Sequence, residues 1–147
     1  MRRDVKTAED NATGFMPRFL TLLKAERDKV ESFALSLHME KGTVSDGLVG
    51  IDRRHAKSAA FNSKMTLART DLYRAFGNYL SFLMGEFGTY KVVNGQFMFP
   101  KQPTADRYNV VASAMTAAAK RVADLDIERK ALIQSQQEGW ERFTKGK

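Results

Sequence analysis

The chain has 147 residues, 43% of them hydrophobic, with a formal net charge of +7 and no cysteine. That length suits one domain with a single core, and the missing cysteine excludes disulfides, thiolate metal sites and cysteine nucleophiles. No apolar run approaches the ~20 residues that a membrane-spanning helix needs, and the cationic excess is spread along the chain with acidic residues interleaved.

Residues 1–12 are polar, and the basic start Met1-Arg2-Arg3 runs into acidic residues, unlike a signal peptide. From Phe15 the spacing Phe15, Phe19, Leu22, Glu26, Val30, Phe33, Leu37 keeps to one helical face, widened by Leu23 and Ala34. A first helix is predicted over about 13–40, with Pro17 in its first turn or at a kink and Gly42 as its stop. His38, near its end, reads as a surface histidine favoured by the helix dipole. Three glycines with apolar residues between them, Gly42 to Gly50, read as an ordered turn. They lack the lysine and hydroxyl of a phosphate-binding loop. In an up-down-up bundle, Leu48, Val49 and Ile51 would cap the core beside Trp140 and Phe143.

Asp52 is the expected N-cap of a second helix over about 52–87, whose face runs Phe61, Met65, Ala68, Leu72, Phe76, Tyr79, Leu83, Phe87. Its last turns are apolar beyond one stripe, since Leu80, Phe82 and Met84 join that face. Thr89-Tyr90-Lys91-Val92-Val93, Asn94-Gly95 and Gln96-Phe97-Met98-Phe99 spell a hairpin over 89–99. An Asn-Gly pair supplies the two positive-φ residues of a type I′ turn. Val92 then faces Phe97 and Tyr90 faces Phe99 on one side, with Lys91, Val93, Gln96 and Met98 on the other. A lone hairpin is marginal, so its aromatic side is expected to pack near Phe15, Phe19 and Phe87.

A third helix is predicted over about 104–143, opened by Pro103-Thr104 and carrying Tyr108, Val111, Met115, Ala118, Val122, Leu125, Arg129, Leu132, Gln136, Trp140 and Phe143 on one face. Arg129 and Gln136 interrupt it and read as rim positions. The fold class expected is all-α: an antiparallel three-helix bundle over residues 1–147, with a long C-terminal helix and a small hairpin between helices two and three.

Val92-Val93-Asn94-Gly95-Gln96-Phe97-Met98-Phe99-Pro100, followed by Ala105, Tyr108 and Asn109, resembles a segment in a family of uncharacterised enterobacterial helical lipoproteins that carry a domain of unknown function. The resemblance implies an exported protein at the inner face of an envelope membrane, hence bacterial periplasm, with no catalytic residues to carry over. The chain as given shows neither the leader nor the lipidation cysteine of that pattern, and without them the expected location is the cytoplasm.

No nucleophile with its base, paired inward carboxylates or metal-ligand spacing is visible, so neither catalysis nor a cofactor nor a metal is expected. The two histidines fall apart, and His55 sits among Arg53, Arg54 and Lys57, a surface setting unfavourable to a charged imidazole. The expectation is a non-catalytic interaction protein that docks on a protein partner or self-associates through Phe82, Met84, Val93 and Met98. The alternative is a nucleic-acid binder using Arg53, Arg54, Lys57, Lys64 and Arg69 on helix two.

Overall fold

The computed structural model describes residues 2–145, with side chains except at 2, 136 and 139–145. Three helices, α1 (Arg2–Ser36), α2 (Lys41–Gly85) and α3 (Gln102–Lys145), account for most of it. Strands β1 (Lys91–Val93) and β2 (Gln96–Met98) form an antiparallel hairpin between α2 and α3. The all-α class, the three helices and the position of the hairpin are those expected. The chain divides into two units, Lys6–Thr70 and Asp71–Lys147 joined by the first five residues.

Four apolar side chains are buried among the described residues, Val44, Leu48, Met65 and Ala68, and all belong to α2. Three of them belong to a seam that alternates steps of four and three: Val44, Leu48, Ile51, His55, Ser58, Asn62, Met65, then Leu72, Phe76, Tyr79 and Leu83 after the exposed Arg69. Such spacing averages 3.5 residues per turn, the period that keeps one face of a long helix turned inward. Ala68, one residue from the seam, permits close approach.

The first reversal of the chain lies earlier than the glycines suggest. His38 adopts φ 58°, the left-handed conformation, and its amide donates to the Leu35 carbonyl while the Met39 amide donates to that of Ala34. Those two bonds are a Schellman motif with histidine where glycine usually stands. α1 therefore ends at Ser36 and α2 starts at Lys41, so the expected turn at Gly42–Gly50 is helix. The helix cost of the two interior glycines, Gly47 and Gly50, is ~2 kcal/mol, Gly42 lying in the first turn. Burying Val44 and Leu48 returns ~3–6 kcal/mol, which favours the helix. Of the three residues expected to cap the core, Leu48 is buried, Ile51 half-buried and Val49 exposed; Trp140 and Phe143 lie outside the described side chains.

Other boundaries shift for local reasons. α1 extends back to Arg2 through its polar residues, which leaves Pro17 inside the helix instead of in its first turn. Asp52 is no N-cap; its carboxylate accepts from Arg27 Nε at 2.9 Å. α3 begins at Gln102, where the Lys101 carbonyl accepts from Thr104 and Ala105, so Thr104 is buried in the first turn and caps nothing. The α3 stripe is half-buried at Tyr108, Val111, Met115, Ala118, Val122 and Leu125, and every described side chain from Ile127 onward is exposed, Arg129 included. Gln136 lies outside the described side chains.

Glycine at position 38 removes the left-handed cost that a Cβ carries, so His38→Gly is expected to raise the unfolding free energy by about 1 kcal/mol in urea melts. A Cβ at Gly47 or Gly50 meets nothing within 4 Å. Gly47→Ala and Gly50→Ala are each expected to add about 0.5–1 kcal/mol in the same assay. Destabilisation by either would contradict a helical 42–50 segment.

Candidate interaction surface

Asn94 (φ 51°) and Gly95 (φ 76°) form the expected type I′ turn, and the register pairs Lys91 with Met98, Val92 with Phe97, and Val93 with Gln96. Period-2 alternation then sends Tyr90, Phe97 and Phe99 to one side. Their ring centroids lie 5.2 Å (Tyr90–Phe97) and 5.6 Å (Tyr90–Phe99) apart. The layer meets Tyr108 of α3, 5.4 Å from Phe97 and 5.0 Å from Phe99, and Phe82 of α2, 5.9 Å from Phe99. Tyr79 closes the group at 6.0 Å from Tyr108.

The hairpin is thus held by six aromatic rings, in tilted and edge contacts of the kind worth ~0.5–1.5 kcal/mol per pair beyond area burial. Of the partners expected from sequence, Phe87 is corrected by Tyr79, Phe82 and Tyr108. Phe87, beyond the end of α2, is 83% exposed, and Phe15 and Phe19 stack on each other at 5.5 Å. Outside the rings, Arg107 lies 5.9 Å from the Phe82 centroid and donates to Glu86 at 2.9 Å. The contact ties α3 to the turn after α2.

Of the four contact residues read from sequence, the structure separates one from three. Phe82 belongs to the aromatic cluster and is half-buried. Met84 (61% exposed) and Met98 (56%) are open, as is Val93 on the outer hairpin face. Phe87 belongs with these open residues, a placement that its position on the seam of helix two concealed. On the outer face of the hairpin, Lys91 and Gln96 accompany Val93 and Met98. A shallow cleft of about 280 Å³ lies elsewhere in the same unit, between Asp71, Arg74, Ala75 and Asn78 of α2 and Val110, Val111 and Ala114 of α3. Asp71 and Arg74 pair across its rim at 3.8 Å.

Arg53, Arg54, Lys57, Lys64 and Arg69 are all exposed. At ~100° per residue, Arg53, Lys57 and Lys64 fall within a narrow arc, whereas Arg54 and Arg69 turn progressively away. The five do not form one line. His55 departs from its expected surface role: its side chain lies in the α2 seam, with Nε2 buried 3.4 Å from a Glu26 carboxylate oxygen but without hydrogen-bond geometry. The 3.5-residue period from Leu48 through Ile51 was the signal that could have placed it there. Among the described residues, no three of His, Asp and Glu cluster in a way that could hold a metal ion, and no helix is long and apolar enough to cross a membrane.

Comparison of the chain with protein-family models, curated proteins and solved structures returns no match.

Burial, aided by a hydrogen bond with Tyr108, pushes the Tyr79 phenol up to about 12 from 10.0. A raised folded-state pKa contributes stability below the unfolded value and loses it as pH climbs through the folded one. Unfolding free energy measured in urea at stepped pH is therefore expected to fall between about pH 10 and 12. Tyr79→Phe should flatten that slope.

Proposed function

We propose that this chain is a non-catalytic helical interaction protein that docks on a protein partner through the outer face of its hairpin and the adjoining end of α2. The observation that supports the reading is an asymmetry. The rings on the inner face of the hairpin are covered by Tyr79, Phe82 and Tyr108, although Val92 on that face stays 60% exposed, while Met84, Phe87, Val93 and Met98 stand half exposed or more. Scattered surface apolar residues need no explanation, but four on the end of one helix and a rigidly backed hairpin form the sort of patch that marks a binding face. The type I′ turn and the ring cluster hold that face in place before any partner arrives, which lowers the ordering cost of binding.

A second reading rests on Arg53, Lys57 and Lys64, exposed cations spanning about 16 Å of α2 along one side. Such a row suits phosphates. Nucleic-acid binding of that origin would weaken steeply with added salt, and a titration of labelled duplex and single strand at low salt decides it.

The docking reading is tested by a photo-crosslinking residue placed at Val93 or Met98 in cells, with exposed Ser63 as control. One discrete protein adduct is expected at the hairpin positions and none at the control. Met84→Lys with Val93→Lys and Met98→Lys should abolish the adduct while leaving the helical circular dichroism intact. Measured on the purified pair, each single lysine is expected to weaken binding about tenfold. Absence of any hairpin adduct would overturn the proposal.

A further inference from the structure

The apolar face of α1 is the largest feature that the hairpin reading leaves unused, and it lies within the Lys6–Thr70 unit. α1 turns Met16, Leu23 and Ala34 inward, and Arg27 reaches Asp52 of α2. The longer stripe, Phe15, Phe19, Leu22, Glu26, Val30, Phe33 and Leu37, lies to one side of those residues. Leu22 is 68% exposed and Phe33 66%, with Phe15, Val30 and Leu37 also open.

The steps along this stripe are four, three, four, four, three, four. That series reads the same in both directions from Glu26, and so do the residue classes. Phe15 mirrors Leu37, Phe19 mirrors Phe33, and Leu22 mirrors Val30. An antiparallel two-fold contact between identical helices is favoured by this property, because residue i then meets residue j while j meets i, and both are apolar. A stripe selected for an unrelated partner carries no such requirement.

We infer that two copies of this chain associate through α1, side by side and antiparallel, with the two-fold axis passing at Glu26. Phe19 of one copy then packs on Phe33 of the other, and Leu22 on Val30. Charge fits the same register: Lys29, exposed beside the stripe, falls opposite position 23 of the second copy, one turn from its Glu26. Two Lys29–Glu26 pairs flank the axis and offset the meeting of two carboxylates there. His55, 3.4 Å from Glu26 in the same chain, sits behind each of them. The area is sufficient. With ~150–200 Å² for each large apolar side chain, the open parts of the stripe come to roughly 500 Å² per copy, and with the flanking polar stems the contact buries on the order of 1,200 Å², the lower bound of a standard specific interface.

The native chain has no cysteine, so single cysteines report without background. Spin labels on Ala25→Cys, Arg18→Cys and Ser36→Cys, all exposed beside the stripe, test register directly in the full chain. In the antiparallel dimer the paired labels lie about 3, 24 and 30 Å apart along the helix axis, from 1.5 Å per residue. Sedimentation equilibrium is expected to show a monomer–dimer equilibrium that Leu22→Lys or Phe33→Lys weakens at least about tenfold. Glu26→Leu should tighten it, because the axis then carries no charge, and Met98→Lys should leave it unchanged. A monomer at every concentration would overturn the inference and show α1 to be covered within the chain. Short distances at all three labels, or a dimer sensitive to Met98→Lys but not to Leu22→Lys, would overturn it as well; the latter places self-association on the hairpin face.

Discussion

The structure depends on the inward seam of α2. Val44, Leu48, Met65 and Ala68, the buried apolar side chains among the described residues, are all carried by this one 45-residue helix. Its seam steps by four and three without a break from Val44 to Met65, all within the Lys6–Thr70 unit, and the helix itself runs on to Gly85 in the other unit. The middle of that seam is polar, with His55, Ser58 and Asn62 in consecutive inward positions. Asn62 Nδ2 donates to the Ser58 carbonyl at 3.0 Å, so part of its polarity is satisfied inside α2 itself. Polar groups placed at inward positions lower stability but penalise register slips, because a shifted helix would leave them unpaired against apolar neighbours. Ion pairs from Arg27 to Asp52 and Glu31 do similar work on the α1 side, at partly exposed positions where their value lies in geometry more than energy.

The hairpin answers a different constraint. Two three-residue strands cannot hold themselves in water, and the six-ring cluster supplies what they lack. Because successive strand residues alternate sides, filling one face with Tyr90, Phe97 and Phe99 commits Val93 and Met98 to the other. The exposure of those two is therefore a consequence of how the hairpin is anchored. Their apolar character is not: lysine or threonine would serve a solvent face equally well, and valine and methionine there need a separate reason. The docking proposed above would provide one.

How much of this could be read from residues alone follows from which signals are local. The Asn94-Gly95 turn and its register were legible because positive φ at two adjacent positions leaves few alternatives to that pair. The α3 stripe from Tyr108 to Leu125 was legible because its period is unbroken. The Gly42–Gly50 segment was not, since glycine content reports propensity while the burial of Val44 and Leu48 is a tertiary fact that outweighs it. The true reversal at His38 has no residue signature, because histidine at a left-handed C′ position is uncommon and the glycine four residues on drew the boundary away from it. At the candidate surface, Met84, Val93 and Met98 were legible from strand alternation and from the apolar excess at the end of helix two. Phe82 and Phe87 were exchanged, because periodicity reports the angle around a helix and not where its neighbour ends.

The same limit explains why the stripe from Phe15 to Leu37 was recognisable as a face while its partner was not. An α-helix that packs against one neighbour needs a narrow seam, and α1 supplies that with Met16, Leu23 and Ala34. Its apolar arc is wider, and most of the surplus lies on one side, with five large side chains open over more than five turns, while Leu20 and Leu35 are exposed on the other. A surplus of that length is costly for a chain alone in water, because it invites non-specific association. The mirror arrangement about Glu26 changes the balance: it converts a general liability into one preferred contact, since only the antiparallel register aligns every apolar pair while setting Lys29 beside the opposing carboxylate. Moving the register by one helical turn would set Glu26 against Leu22 or Val30 and carry Phe19 off Phe33, so the carboxylate would face an aliphatic side chain and the apolar pairs would be lost together. The carboxylate at the centre of the stripe, which looks like a flaw in an apolar face, is on this view the point about which the apolar residues of the two copies are paired.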